Sequence, residues 1–213
     1  MDAAGVLPGF QGVAVHDGWS PYWGYAATHA LCGAHLLREL DAVAEEPRQG
    51  WAAGMAELLC DAKLVVDRAR QAGYEQVDEA ARATLVARYE RLLADGERAN
   101  PPPRLRRGGR GHRRQRRSPA TRLLARLDSH RDEVLRFLND LRVPFTNNQA
   151  ERDLRMVKLQ QKISGCWRTL VGAEAFLTVR SYLSTARKQG LNPLDVLRRL
   201  FEGRPWLPAL VGS

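Results

Sequence analysis

The chain has 213 residues, of which 44% are apolar, enough to bury one ordinary core or a core and part of a second. Its 33 Lys and Arg against 24 Asp and Glu give a formal charge of +9, which points to a polyanionic partner, nucleic acid first. Eight arginines (Arg104, Arg106, Arg107, Arg110, Arg113, Arg114, Arg116 and Arg117) fall between Pro101 and Pro119 with no acid among them, so the rest of the chain is nearly neutral. Three widely spaced cysteines (Cys32, Cys60, Cys166) without a CxxC pair encode neither a disulfide framework nor a complete zinc finger. The first residues lack a basic segment followed by an apolar one, and nowhere do 18 apolar residues run together; a secretory signal and a membrane span are not expected, and a cytoplasmic location is.

Gln11 to His16 alternates apolar and polar residues, the period of a short strand that ends at Asp17-Gly18. Thr28 to Cys32 reads as a second short strand, and a helical stripe begins at Ala34. Apolar residues from Trp51 to Ala69 recur at helical spacing up to Gly73, and a second set from Ala81 to Leu93 carries a helix to about Asp95; the short connection predicts an antiparallel hairpin. Residues 100–118 are too poor in apolar side chains to offset the entropy of ordering and read as a disordered basic linker. Ser118-Pro119 then opens a helix whose leucines and Val134 run to Arg142. After the extended step at Val143-Pro144-Phe145, Thr146 and Gln149 are spaced as a capping box for a helix reaching about Lys162. Helices over Ala173 to Gln189, stopped by Gly190, and from Asn192-Pro193 onward complete a predominantly helical α/β chain.

Two acids head the candidate chemistry. Advancing 100° per residue from Glu151 brings Arg155, Lys158 and Lys162 back to within about 40° of it, so one carboxylate heads a basic ridge. Apolar residues flank the ridge on both sides, which predicts that it lines a groove. A carboxylate beside cations that neutralise phosphates suits a divalent-metal site working on a nucleic-acid backbone; equally, an acid in a first helical turn with a cation four residues on is an ordinary structural pair. Asp17, at a strand tip, is either a rigidly held ligand or the start of an Asp-Gly hairpin turn. Cys32 and His35, with His29 in reach, are half of a metal-ligand pattern and fit structural packing better. Trp19, Trp23 and Trp167 have the rings to stack on unpaired bases, although core or edge packing is the commoner use.

Three blocks, VAVHDGWSPY around Asp17, THALCGAHLLREL from Thr28 and PFTNNQAERDLRMVKLQQKISGCWRT from Pro144, followed by VRSYLSTARKQGLNPLD, resemble bacterial transposases of the insertion-sequence-66 family. The resemblance implies a DDE catalytic domain of RNase H-like fold in which Asp17 and Glu151 are catalytic metal ligands for Mg²⁺ or Mn²⁺. It also implies that Arg152, Arg155, Lys158, Lys162 and Arg168 face DNA and that Cys32 and His35 match a C-x-x-H motif. On that basis residues 1–35 are expected to be part of the catalytic sheet, 36–99 a helical insertion, 100–118 the basic linker, 119–202 the helical remainder of the catalytic domain and 203–213 a tail.

The family's first catalytic Asp lies on a strand earlier than the one ending at Asp17, and Asp2, in a Gly- and Pro-containing leader, does not replace it. The expectation is therefore a truncated, C-terminal portion of a transposase, inactive by itself. Intact relatives would cleave the phosphodiester at transposon ends and join the freed 3′ hydroxyl to target DNA. The competing expectation is a non-catalytic DNA-binding or regulatory protein that associates with full-length transposase, or with copies of itself, without a membrane role.

Overall fold

The structure, a computed structural model, describes residues 7–101, 118–164, 167 and 169–208; the arginine run from Arg104 to Arg117, Cys166, Arg168 and the side chain of Lys158 lie outside what it describes. The chain divides into two compact units, residues 1–148 and 149–213.

In the first unit the alternating valines form β1 (Val13–His16), and β2 (Thr28–Leu31) pairs with it in parallel, Val13 opposite Thr28 and His16 opposite Leu31. The parallel pairing rules out the hairpin alternative for Asp17-Gly18. Parallel strands commonly need a crossover of a dozen or more residues. Here residues 17–27 suffice, because Ser20–Gly24 coil into a single 3-10 turn with Pro21 near its start. Gly18 sits at φ +87°, a left-handed conformation that L side chains rarely adopt and that lets the chain leave β1 sharply.

Four helices then bury a common core: α1 (Gly33–Ala44), α2 (Gly50–Gln71), α3 (Glu79–Ala99) and α4 (Pro119–Ser129). Leu40 of α1, Met55, Leu58 and Leu59 of α2, Tyr89 of α3 and Leu127 of α4 are fully enclosed. The α2–α3 pair is the predicted hairpin, although α3 continues past Asp95 to Ala99. Its far end is tied back by the Gln49 and Asn100 side-chain amides, which exchange hydrogen bonds of 3.0 and 2.9 Å. Helices α3 and α4 approach closely because position 96 has no side chain: a β-carbon there would lie 2.4 Å from Leu124 Cδ2 and 2.9 Å from Trp51. The Tyr89 hydroxyl donates to the Leu127 carbonyl at 2.8 Å, and burial pushes its pKa well above the usual phenol range.

Two expected boundaries are corrected. The helix expected to run from Pro119 to Arg142 stops at Ser129. It continues as two single turns, α5 (Arg131–Val134) and α6 (Arg136–Asn139), separated by non-helical backbone at His130 and Leu135. The apolar stripe lapses at His130 and Arg131, so one straight helix would aim polar side chains at the core; breaking it lets Val134, Leu135, Phe137 and Leu138 all be buried. The capping box at Thr146 and Gln149 does not form either: α7 begins at Asn148, and the Gln149 amide donates forward to Asp153 at 3.2 Å rather than back toward Thr146.

The second unit contains most of α7 (Asn148–Ser164), α8 (Leu170–Lys188) and α9 (Pro193–Phe201). Helix α8 starts three residues before the expected Ala173, with the Thr169 hydroxyl capping the Gly172 amide at 3.1 Å. Asp153 staples α7 to α8, accepting from Lys188 Nζ at 2.7 Å and from Ser184 Oγ at 3.2 Å. Trp206, in the stretch expected to be a tail, returns to α8, where its amide donates to the Tyr182 hydroxyl at 3.0 Å. Among the described residues no helix is long and apolar enough to cross a membrane.

The Tyr89 hydroxyl is the polar link between α3 and α4. Tyr89→Phe keeps the ring and strands the Leu127 carbonyl, and is expected to lower unfolding free energy by about 1 kcal/mol in chemical denaturation. An unchanged midpoint would show that the bond contributes nothing.

Candidate functional site

Asp17 follows β1 directly, at its carboxyl end. Its Oδ1 accepts the Trp19 amide at 2.9 Å, an Asx turn that fixes the exposed carboxylate on the crossover. A β-carbon at Gly18 would meet Leu31 Cδ2 at 3.4 Å and Arg126 Cδ at 3.9 Å, so β2 and α4 close around the base of the turn. Arg126 in turn pairs with Glu39 of α1 at 2.7 Å and lines a cavity of about 430 Å³ between α1 and α4.

Beneath the turn lies a histidine and aromatic cluster that sequence pattern did not single out. The Gly18 amide donates to His16 Nδ1 at 3.0 Å, so the His16 proton sits on Nε2 and is directed at His29 Nδ1, 3.1 Å away. His29 therefore carries its proton on Nε2, which donates to the Tyr25 carbonyl at 3.2 Å. This chain of two neutral imidazoles spans the short crossover from one end to the other. Tyr22 stacks on His16 at 4.8 Å, Trp23 meets it edge-on at 4.9 Å, and the other face of the arrangement closes with Trp23 stacked on His130 at 4.2 Å. Trp23 and His16 are thus packing residues. The only sequence signal for the cluster was its density of rings between two strands.

His16 prefers its neutral form: burial and then His29 lower its pKa, against the opposing pull of Asp17; His130 lowers it further and Glu133 raises it. Because the folded pKa lies below the ordinary 6.5, the unfolded chain takes up the proton first as pH falls. The contribution of His16 to stability is thus complete above that range and is lost on acidification. Protonation at Nδ1 would also oppose the Gly18 amide. Wild-type stability is expected to fall between pH 7.5 and 5.5 by more than that of His16→Gln, measured by chemical denaturation; equal losses would remove His16 from the account.

The chain upstream of α7 is pinned to the β2–α1 junction. The Gly33 amide donates to the Phe145 carbonyl at 2.8 Å, and the Asn147 amide donates to the buried Cys32 Sγ at 3.4 Å. Arg70 holds the preceding residues, donating to the carbonyls of Leu141 at 2.6 Å and Val143 at 2.8 Å. Cys32 thereby has a hydrogen-bonding and packing task at the start of α1, and the half-buried His35 occupies the first turn of that helix. The ring of Phe145 fills the place a side chain at position 33 would take, 2.2 Å from a β-carbon there. Helix propensity alone would make Gly33→Ala a gain of up to about 1 kcal/mol. The overlap is expected to reverse the sign, costing roughly 1–3 kcal/mol and lowering hydrogen-exchange protection of the Asn147 amide. A stabilised variant would show that the pin is loose.

On α7, Glu151, Arg152, Arg155 and Lys162 are exposed, as is Leu159. Glu151 and Asp17 offer hard oxygen donors, the kind Mg²⁺ and Mn²⁺ select. Among the described residues no group of three His, Cys, Asp or Glu side chains is gathered for a metal ion. The donors therefore suit such an ion in kind, two carboxylates in number.

The profile of the IS66 transposase family matches residues 2–175, which include both acids, the Cys32–His35 motif and all of α7. The chain belongs to that family. It is also 37% identical over 70 residues to the uncharacterized protein y4jO of Sinorhizobium fredii (strain NBRC 101917 / NGR234), a match covering 33% of this chain and 22% of that relative. The chain thus aligns with about a fifth of the relative's length. No solved structure matches it.

Proposed function

We propose that this chain serves DNA transposition, as part of the catalytic and DNA-holding surface of a transposase with an RNase H-like core. The observation that carries the reading is the Asp17 turn: a carboxylate fixed by an Asx turn at the carboxyl end of a strand in a parallel pair, within a family match that also spans Glu151. Asp17 and Glu151 would hold a divalent cation, Mg²⁺ or Mn²⁺. Such an ion, when bound, supplies a polarised phosphate and an activated hydroxyl for phosphodiester cleavage and strand transfer.

The chain's own residues orient and neutralise. The Trp19 amide leaves Asp17 one committed oxygen and little rotational freedom, and the His16–His29 pair keeps the turn from opening. Arg152, Arg155, Lys158, Lys162 and Arg168 would face phosphates, with Arg155 and Lys162 on the side of α7 that carries Glu151. Residues 36–99 would form a helical insertion within the catalytic domain.

A second reading, DNA binding without cleavage in association with transposase, is favoured by the exposed α7 cations and by the absence of three gathered ligands among the described residues. The two separate cleanly. Mn²⁺-dependent nicking of supercoiled plasmid that disappears in Glu151→Gln and Asp17→Asn supports the catalytic reading. Retained DNA binding with no nicking, or with nicking that survives both substitutions, supports the second. In either case Arg155→Gln with Lys162→Gln is expected to weaken binding to any sequence and to reduce the slope of log affinity against log salt by about two.

A further inference from the structure

We infer that Trp19 is a stacking platform for an unpaired nucleobase of the DNA strand processed at Asp17; this rests on the DNA reading above and adds a specific contact to it. Five tryptophans occur in the chain, and the structure separates their uses. Trp51 is buried, Trp23 is sandwiched in the histidine cluster, Trp167 packs on Phe176 at 4.6 Å and Trp206 lies beside Tyr182. Trp19 alone among these is strongly exposed, at 54%.

Its exposure is not that of a loose side chain. The Trp19 amide is bound to Asp17 Oδ1 at 2.9 Å, its carbonyl accepts the Tyr22 amide at 3.0 Å, and Pro21 stiffens the turn that follows. The indole meets Tyr22 edge-on at 5.9 Å, and Tyr22 is itself stacked on the buried His16. A large apolar surface is therefore presented to water on a backbone braced from below, two residues from the proposed metal ligand. An exposed ring of this size offers about the area of a base and loses little entropy on contact. Base–aromatic stacking contributes about 1–3 kcal/mol per base and tolerates any sequence. Duplex bases are already stacked on one another, so only an unpaired base, such as one at a frayed or cleaved end, can use the platform.

The test uses the full chain and two fluorescent probes, a blunt duplex and the same duplex with a three-nucleotide single-stranded overhang, in EDTA so that metal binding plays no part. Trp19→Ala is expected to weaken overhang binding by about 5- to 100-fold with the salt slope unchanged, and to leave the blunt duplex unaffected. Trp19→Phe should retain part of the affinity and Trp19→Leu none beyond Ala, because stacking needs a π face. Replacing the overhang nucleotides with abasic sites should erase the difference between wild type and Trp19→Ala.

Overhang affinity equal in wild type and Trp19→Ala, or Leu serving as well as Trp, overturns the assignment while leaving DNA binding intact. A Trp19→Ala change in oligomeric state on size exclusion, with no change on DNA, assigns the ring to self-association and overturns it as well. Wild type that binds neither probe overturns the DNA reading itself.

Discussion

The placement of the Phe145 ring against a residue without a side chain is the contact on which the functional end of the first unit depends. Gly33 is where β2 gives way to α1, and the segment that leads into α7 crosses that point with its carbonyl bonded to the Gly33 amide. Any β-carbon at Gly33 and the Phe145 ring would claim the same volume. The Cys32 thiol and the Arg70 guanidinium secure the same crossing from either side, one through the Asn147 amide and the other through the carbonyls of Leu141 and Val143. A segment with no regular structure of its own is thus held by residues 71 to 115 positions away in sequence. The cost of ordering it is met by the core of α1, α2 and α4.

The other end of the unit solves a different problem. Two parallel strands joined by 11 residues leave little chain to cover the crossover, and the space beneath it is filled by rings: His16, His29, Tyr22, Trp23 and His130. Histidine suits this position because a neutral imidazole accepts at one nitrogen and donates at the other, so two in series link the Gly18 amide to the Tyr25 carbonyl without burying a charge. The result is a short, stiff turn that holds Asp17 and presents Trp19. Acidity is its weakness, since a proton added to His16 meets an amide hydrogen.

Much of this was legible in the sequence. Strand period and strand length gave β1, β2 and the order strand, crossover, strand, helix, and helical spacing gave α2 and α3 with their hairpin. Asn192-Pro193 and Gly190 marked the last helix and the stop before it through capping chemistry that is local to a few residues. The break after Ser129 was hidden because Leu127 and Val134 are in helical register with each other, and only packing reveals that His130 and Arg131 between them cannot face the core. Thr146 and Gln149 had the spacing of a capping box, yet Gln149 found a better partner in Asp153, which α8 also engages through Ser184 and Lys188. Position 17 stood out as a strand-tip acid. The cluster beneath it did not, because His29 and His130 reach His16 and Trp23 only through the fold.

The proposal that matters most is that Asp17 and Glu151 are ligands for a divalent cation. Mn²⁺ binding to the full chain, followed by water-proton relaxation, addresses it directly in wild type, Asp17→Asn and Glu151→Gln. Mn²⁺ affinity is expected to fall by about tenfold or more with each substitution, with both variants retaining wild-type thermal stability. An isotherm that either substitution leaves unchanged would contradict it.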